Sequence, residues 1–331
     1  MSQANTISTP TARSDQPITK IEPVIRSIST PSRDKYRRTS SANNVEHVML
    51  LAGSIRATEL SGQTHRHPLM LPLAKGRTIL SQWQAMLSCD ADCGIELTSV
   101  RALVGHHHAA NTDASTFDAP PDWQVITDAA PLRGSGGVVR DACMVLDDDD
   151  FVTVFDAAQV LRTPVWKLIA IARRVDADVV VLSAESQRTS AIRARVGILK
   201  EISSRGYVDL KEQALASIAK HHTVRMISVP GPDFALPVRT LVDYRDVLRM
   251  VAGHALTPSV FNENWQSRFI IVEIGASVAG SAKLNDTVVL DGGRVERDAV
   301  VVRSVVAKGG VVRAGTTIID QIVDKPTGVK R

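Results

Sequence analysis

The chain has 331 residues, 44% of them apolar, with 39 Lys and Arg against 35 Asp and Glu for a formal charge of +4. That is enough apolar chain for one large core or two smaller ones; no stretch approaches the roughly twenty uncharged apolar residues of a membrane span, and no apolar run follows the first charges as in a secretory leader, so a cytoplasmic protein is expected. Aromatic residues make up 4% of the chain, and the absence of a basic block or an aromatic-interleaved basic stripe argues against a nucleic-acid partner.

Residues 1–45 are rich in Ser, Thr, Pro and Arg without sustained apolar periodicity, and are expected to form a disordered arm that burial cannot order; a regulatory phosphorylation arm is the sharper reading. From Val45 strands and helices alternate. VEHVMLLAG reads as a buried strand and TILSQWQAMLSC as a helix with Thr78 as its N-cap. LTSVRALVG and WQVITDA read as strands, GGVVRDACMVL as a helix or the start of a helix and strand, FVTVFDA as a strand and VWKLIAIARRV as an amphipathic helix. ADVVVLSA is a further buried strand. DLKEQALASIAKHH is a helix with Asp209 as N-cap and Glu212 completing a capping box, and TVRMISV and LVDYRDVLRMVAG close the region. This order predicts an α/β domain over residues 46–255 with a mainly parallel sheet.

The pattern changes after Trp265. In EIGASVAGSAKLNDTVVLDGGRVERDAVVVRSVVAKGGVVRAGTTIID apolar residues recur at Val278, Leu284, Leu290, Val295, Val301, Val306, Val312 and Ile318, in steps of six with a step of five at two breaks. Six-residue spacing of short strands with glycines and small residues between them predicts a hexapeptide β-helix of a few coils over residues 268–322. The three cysteines, Cys89, Cys93 and Cys143, lack the second Cys/His pair of a zinc site and read as reduced structural thiols. His106-His107-His108 at a strand end point to alternate faces, which argues against a metal cluster, and Asp147–Asp150 read as a solvated acidic turn.

Four segments carry a resemblance. PLRGSGGVVRDA looks like a "GTAGALRDA" loop and helix, GYVDLKEQAL like "GYVDLKEQ", PVRTLVDYRDVL like "DVxTPEDYL", and LVGHHHAAN like "VVNTHHLAE". In this order, behind Leu-Ala-Gly and ahead of a hexapeptide coil, they resemble the sugar-1-phosphate nucleotidyltransferases, the family that includes mannose-1-phosphate guanylyltransferases. The resemblance implies a Rossmann-like domain followed by a short left-handed β-helix, and a reaction in which a sugar-1-phosphate attacks the α-phosphate of a nucleoside triphosphate. Such transfer needs in-line positioning and positive charge on the phosphates.

The implied site is altered. Gly53 keeps the first glycine of the family's phosphate loop, but Ser54, Arg56, Ala57 and Thr58 stand where further glycines, a threonine and the family arginine fall, and Pro68 stands at the position of the lysine. By resemblance Gly53 and Ser54 contact the nucleotide, and Arg56 and Arg66 are the cations available to replace the missing charges. Gly134, Ser135, Gly136 and Gly137 match the second glycine loop and are placed at the nucleotide. Asp156 matches the aspartate that holds Mg2+, while its usual partner aligns with Pro237. The family's "EKP" sugar-reading element has no counterpart after ADVVVLSAE. Two functions therefore fit: an active nucleotidyltransferase using Arg56, Asp156 and Mg2+, or a non-catalytic nucleotide-binding, scaffold or regulatory subunit. Acyl transfer by the coil is disfavoured, since no histidine follows His254. The stacked apolar edge of a coil calls for a cap or partner, and a homo-oligomer is expected.

Overall fold

Alternation of Val, Met and Leu along EHVMLL sends Val48 and Leu50 to one face of a strand and Met49 to the other, and all three are fully buried. Burial on both faces is what a sheet covered by helices on each side requires. A computed structural model describes residues 45–53, 58–88, 95, 97–104, 118–128, 132–184, 186, 189–230, 232–253 and 267–327. The seven-stranded sheet at its centre is built from β1 (Glu46–Leu51), β4 (Leu97–Val104), β5 (Trp123–Thr127), β6 (Phe151–Asp156), β8 (Val179–Ser183), β9 (Ser190–Arg195) and β10 (Val224–Ser228), in the order β10-β8-β9-β6-β1-β4-β5. Only β9 runs antiparallel, between β6 and β8. The short strands β2 (Pro72–Ala74) and β3 (Arg77–Thr78) pair with each other, as do β7 (Gln159–Leu161) and β11 (Ala235–Pro237).

One face of the sheet packs on α2 (Ile79–Leu87), α4 (Val165–Arg173) and α7 (Leu241–Val251), where Trp83 meets Phe155 edge-on at 5.5 Å. The other packs on α3 (Gly134–Cys143), α5 (Val196–Lys200) and the segment that ends in α6 (Leu215–Ile218). Thr78 caps α2 as expected, in a capping box with Ser81. Asp209 also caps as expected, accepting from Lys211 and Glu212 N–H. The reciprocal bond, however, comes from Gln213 and not Glu212: Asp209 N–H donates to Gln213 Oε1. The cause is local, because Leu210–Ala214 forms a π-turn, whose wider loop moves the closing side chain one position along.

The C-terminal segment visits three parallel sheets in turn. Ile271 pairs with Val288, Val288 with Val305 and Val305 with Ile322, each seventeen residues on. The other two sheets show the same interval, Val278 with Val295 and Leu284 with Val301. This arrangement fits a β-helix. One expected position is corrected: Val289, not Leu290, fills the coil interior, while Leu290 is buried in the α/β core. With Val289 in place, the inward residues Val278, Leu284, Val289, Val295, Val301, Val306, Val312, Ile318 and Val323 follow a regular six-six-five cycle. The five-residue step marks the corner where Asp286, Arg303 and Asp320 all adopt positive φ, 46°, 49° and 53°.

Coil and α/β layer belong to one compact unit, Ser41–Arg331. Arginine ion pairs stitch them, Arg66 to Glu273, Arg249 to Asp286 and Arg245 to Asp320, and His65 lies 3.8 Å from Asp324. Arg245 and Arg249 are one helical turn apart on α7, and so reach two corners of the coil from one helix face.

Candidate functional site at the strand ends

The C-terminal ends of β1, β4 and β6 lie side by side, with Leu51 opposite both Leu103 and Asp156. Open α/β sheets bind ligands along this edge. Asp156 ends β6, as its sequence position predicts. Its carboxylate is taken up on both sides: Oδ1 accepts from Ala158 N–H at 2.9 Å, and Oδ2 accepts from Arg239 Nη2 at 2.6 Å. Arg239 was not among the residues expected from the sequence. Its signal was the basic residue two positions after Pro237, which becomes meaningful only once β11 pairs with β7 and carries it to the end of β6.

Mg2+ was the expected cofactor, and the residues present do not fit it. Magnesium needs oxygen ligands in near-octahedral geometry, with carboxylate oxygens free to bind it. Here a guanidinium occupies the outward oxygen of Asp156. Pro237, aligned with the second aspartate, is buried in β11 opposite Gln159. Among the described residues no group of three His, Cys, Asp or Glu side chains is arranged to hold a metal.

The phosphate-loop residues are likewise engaged elsewhere. Gly53 N–H donates to the Leu103 carbonyl at 2.9 Å, which closes β1 onto β4. Ser54 and Arg56 lie outside the described residues, as do His106–His108, Cys89 and Cys93. Arg66 Nη1 donates to both carboxylate oxygens of Glu273 at 2.6 Å, so its charge serves the seam with the coil. His67, next to Pro68, is buried; its Nδ1 accepts from Leu69 N–H and its Nε2 donates to the Ala52 carbonyl at 2.6 Å. His67 thus locks the turn after the loop onto the end of β1. Tyr244 does the same for β2, donating its buried hydroxyl to the Pro72 carbonyl at 2.5 Å, and burial holds that phenol well above its usual pKa.

The second glycine stretch forms the first turn of α3 and not a loop ahead of it. Gly134 has φ +75°, and a Cβ there would stand 2.4 Å from the Val208 carbonyl oxygen; one at Gly136 would stand 3.0 Å from the same atom. A Cβ at Gly137 would meet the Arg133 side chain at 3.2 Å. Gly136 N–H donates to Val208 O, and Ser135 Oγ donates to Asp209 while accepting from Leu210 N–H. Arg133, nearly buried, grips Asp141 and the Ser204 carbonyl. The small residues are therefore accounted for by close approach of α3 to the segment 206–210. They leave little of this helix end for a ligand.

The acidic run is an exposed turn, as expected, and its carboxylates are paired at the surface. Asp148 pairs with Lys200, Asp149 with Arg195 and Asp150 with His47. His47 also meets Ser99 at 2.8 Å, joining β1, β4 and the turn before β6 at the opposite end of the strands. Cys143 is buried in the core and burial pushes its thiol up to about 12; it stays protonated and inert at neutral pH.

No family model matches the chain, and no curated protein matches it closely. Among solved structures, a homologue of Mycobacterium tuberculosis Rv0371c from Mycobacterium sp. strain JC1 is 18% identical with a TM-score of 0.45, the match covering 63% of this chain and 97% of that one. HddC from Yersinia pseudotuberculosis, solved in complex with GMP-PN, is 13% identical with a TM-score of 0.45, over 62% of this chain and 98% of that one. A second HddC structure gives 12% identity at the same TM-score and coverage. These likenesses are distant ones of fold and carry nothing about reaction or substrate. Among the described residues no helix is long and apolar enough to cross a membrane.

Proposed function

We propose that this chain is a nucleotidyltransferase-like protein that retains nucleotide at its strand-end edge but no longer transfers it to a sugar-1-phosphate, and that serves as a binding or scaffold subunit. The observation that carries this reading is the Asp156–Arg239 pair at 2.6 Å: a guanidinium sits where metal-dependent transfer needs a cation shared between carboxylates, and a proline stands in place of the second carboxylate. Without a bridging metal the developing charge on the phosphates loses its main stabiliser, a loss worth several kcal/mol of barrier. The coil is the assembly surface in this reading, since its first rung leaves Ile270, Val272 and Ile274 exposed. A homo-oligomer is expected in light scattering, and a monomeric mass counts against the scaffold role.

The test is pyrophosphate release by the purified protein with Mg2+, across the common nucleoside triphosphates and a panel of sugar-1-phosphates. No release above the protein-free rate is expected. Release that requires both substrates and vanishes in Asp156→Ala overturns the reading in favour of an active transferase.

A further inference from the structure

We infer that Arg239 takes over the task of the missing metal, so that phosphate binding at the strand-end edge requires no divalent cation. This rests on the reading that the edge retains nucleotide.

The geometry has three parts. Arg239 is held by its backbone on both sides: its carbonyl accepts from Leu60 N–H at the start of α1 (Glu59–Thr64), and its N–H donates to Asp243 Oδ2 at the start of α7. Its guanidinium is then oriented by one bond, from Nη2 to Asp156. Among the described residues Nε and Nη1 make no hydrogen bond, and the side chain is 46% exposed. A guanidinium carries five N–H donors in a planar fork that matches two phosphate oxygens. Asp156 uses one of them and leaves a donor edge free, on a backbone already fixed in place.

The guanidinium stands at the C-terminal edge of the strands, where open α/β sheets bind ligands. Arg239 hangs from the start of α1, the helix that follows the loop opened by Gly53, and reaches the end of β6 beside β1. Among the described residues the neighbouring basic side chains are engaged: Arg66 is committed to Glu273 and His67 faces inward. Asp156 has two opposed effects. It orients the fork, and its negative charge repels the incoming phosphate.

That opposition gives the test its sign. Full-length protein is titrated with inorganic pyrophosphate and with each nucleoside triphosphate, by calorimetry and thermal shift, once in EDTA and once in Mg2+. Binding is expected in EDTA. It should weaken about tenfold or more in Arg239→Gln, the usual scale for a lost charge-assisted hydrogen bond, and Arg239→Lys should recover part of it. Asp156→Asn should bind several-fold more tightly, since the repulsion is gone while the amide oxygen still accepts from Arg239. Circular dichroism and melting of each variant establish that the fold is intact. Binding that appears only with Mg2+ and is lost in Asp156→Asn overturns the inference and leaves nucleotide binding standing, as does Arg239→Gln binding like the parent. Binding of no probe in either buffer overturns both.

Discussion

The α/β layer and the coil both bring backbone against backbone too closely for a side chain, and they mark the place differently. In the coil a Cβ at Gly310 would stand 2.0 Å from the Val323 carbonyl oxygen, and one at Gly293 would stand 2.9 Å from that of Val306. These two glycines stand seventeen residues apart because successive rungs turn the same corner, with Ala276 at the equivalent place in the first. In the α/β layer Gly134 meets Val208 once, between segments distant in sequence. A repeated contact is written in the chain as a period, whereas a single long-range contact leaves no pattern along it. Stability should divide the same way, with unique buried pairs holding the sheet and many small equivalent contacts holding the coil.

The largest expected effect tests the first half of that contrast. Glu46 is fully buried and accepts from Arg193, itself nearly buried, at 2.6 Å and from Arg173 at 3.0 Å. Arg193 also lies over the Phe151 ring at 3.8 Å. Truncating Glu46 leaves a buried guanidinium uncompensated, so Glu46→Ala should cost about 3 to 5 kcal/mol in urea unfolding. A loss below about 1 kcal/mol would mean that Arg193 finds water or another acceptor, and that the sheet does not depend on this pair.

Glycine substitutions compare the two regions directly. Gly134→Ala combines positive φ with a 2.4 Å approach and should cost about 2 to 4 kcal/mol. Gly310→Ala faces the tighter approach without positive φ, at about 1 to 3 kcal/mol, since the rung at the end of a coil yields more readily than packed backbone. Gly280→Ala, with nothing within 4 Å, is the neutral control. If Gly310→Ala proves costlier than Gly134→Ala, the coil is the more rigid half.

The seam between the regions should be weaker than either. Arg66 and Glu273 are about one-fifth exposed, and a double-mutant cycle on this pair should return a coupling of about 1 kcal/mol. A coupling near zero would show that the join rests on the α7 pairs and on buried apolar contacts such as that of Leu290.

Particular residues show which features could be read in the sequence. The α/β alternation, the caps at Thr78 and Asp209, the strand-end place of Asp156 and the short-strand coil all follow from local rules of period and capping. Leu290 misled because two apolar neighbours, Val289 and Leu290, both suit an inward slot, and only packing against the α/β core decides between them. Arg66 read as a phosphate ligand because its position beside the loop was visible and Glu273, more than two hundred residues away, was not. Arg239 escaped notice for the same reason in reverse: its partner is known only when β11 pairs with β7 and carries it to the end of β6. Local chemistry placed the carboxylate, and long-range pairing decided what the carboxylate does.

The smallest effect concerns pH. Asp320, at a coil corner, has its pKa held below the usual Asp range, first by the hydrogen bond from Arg303 and then by the charges of Arg303 and Arg245. A carboxylate whose pKa is lower folded than unfolded adds stability that is fully present above the unfolded pKa. That stability disappears as pH falls through the folded one. The side chain is 45% exposed, so solvent screening limits the contribution to about half a kcal/mol. Asp320→Asn should therefore be slightly less stable than the parent from about pH 5 to 7, with the difference closing below about pH 4. Other acidic groups titrate alike in both proteins and cancel in the subtraction. A difference that persists at pH 3 would assign the loss to the altered hydrogen bonding of the amide, since Asn and Asp tolerate this positive φ alike, and would leave the Arg303 pair within the coil and the Arg245 pair across the seam with no electrostatic role.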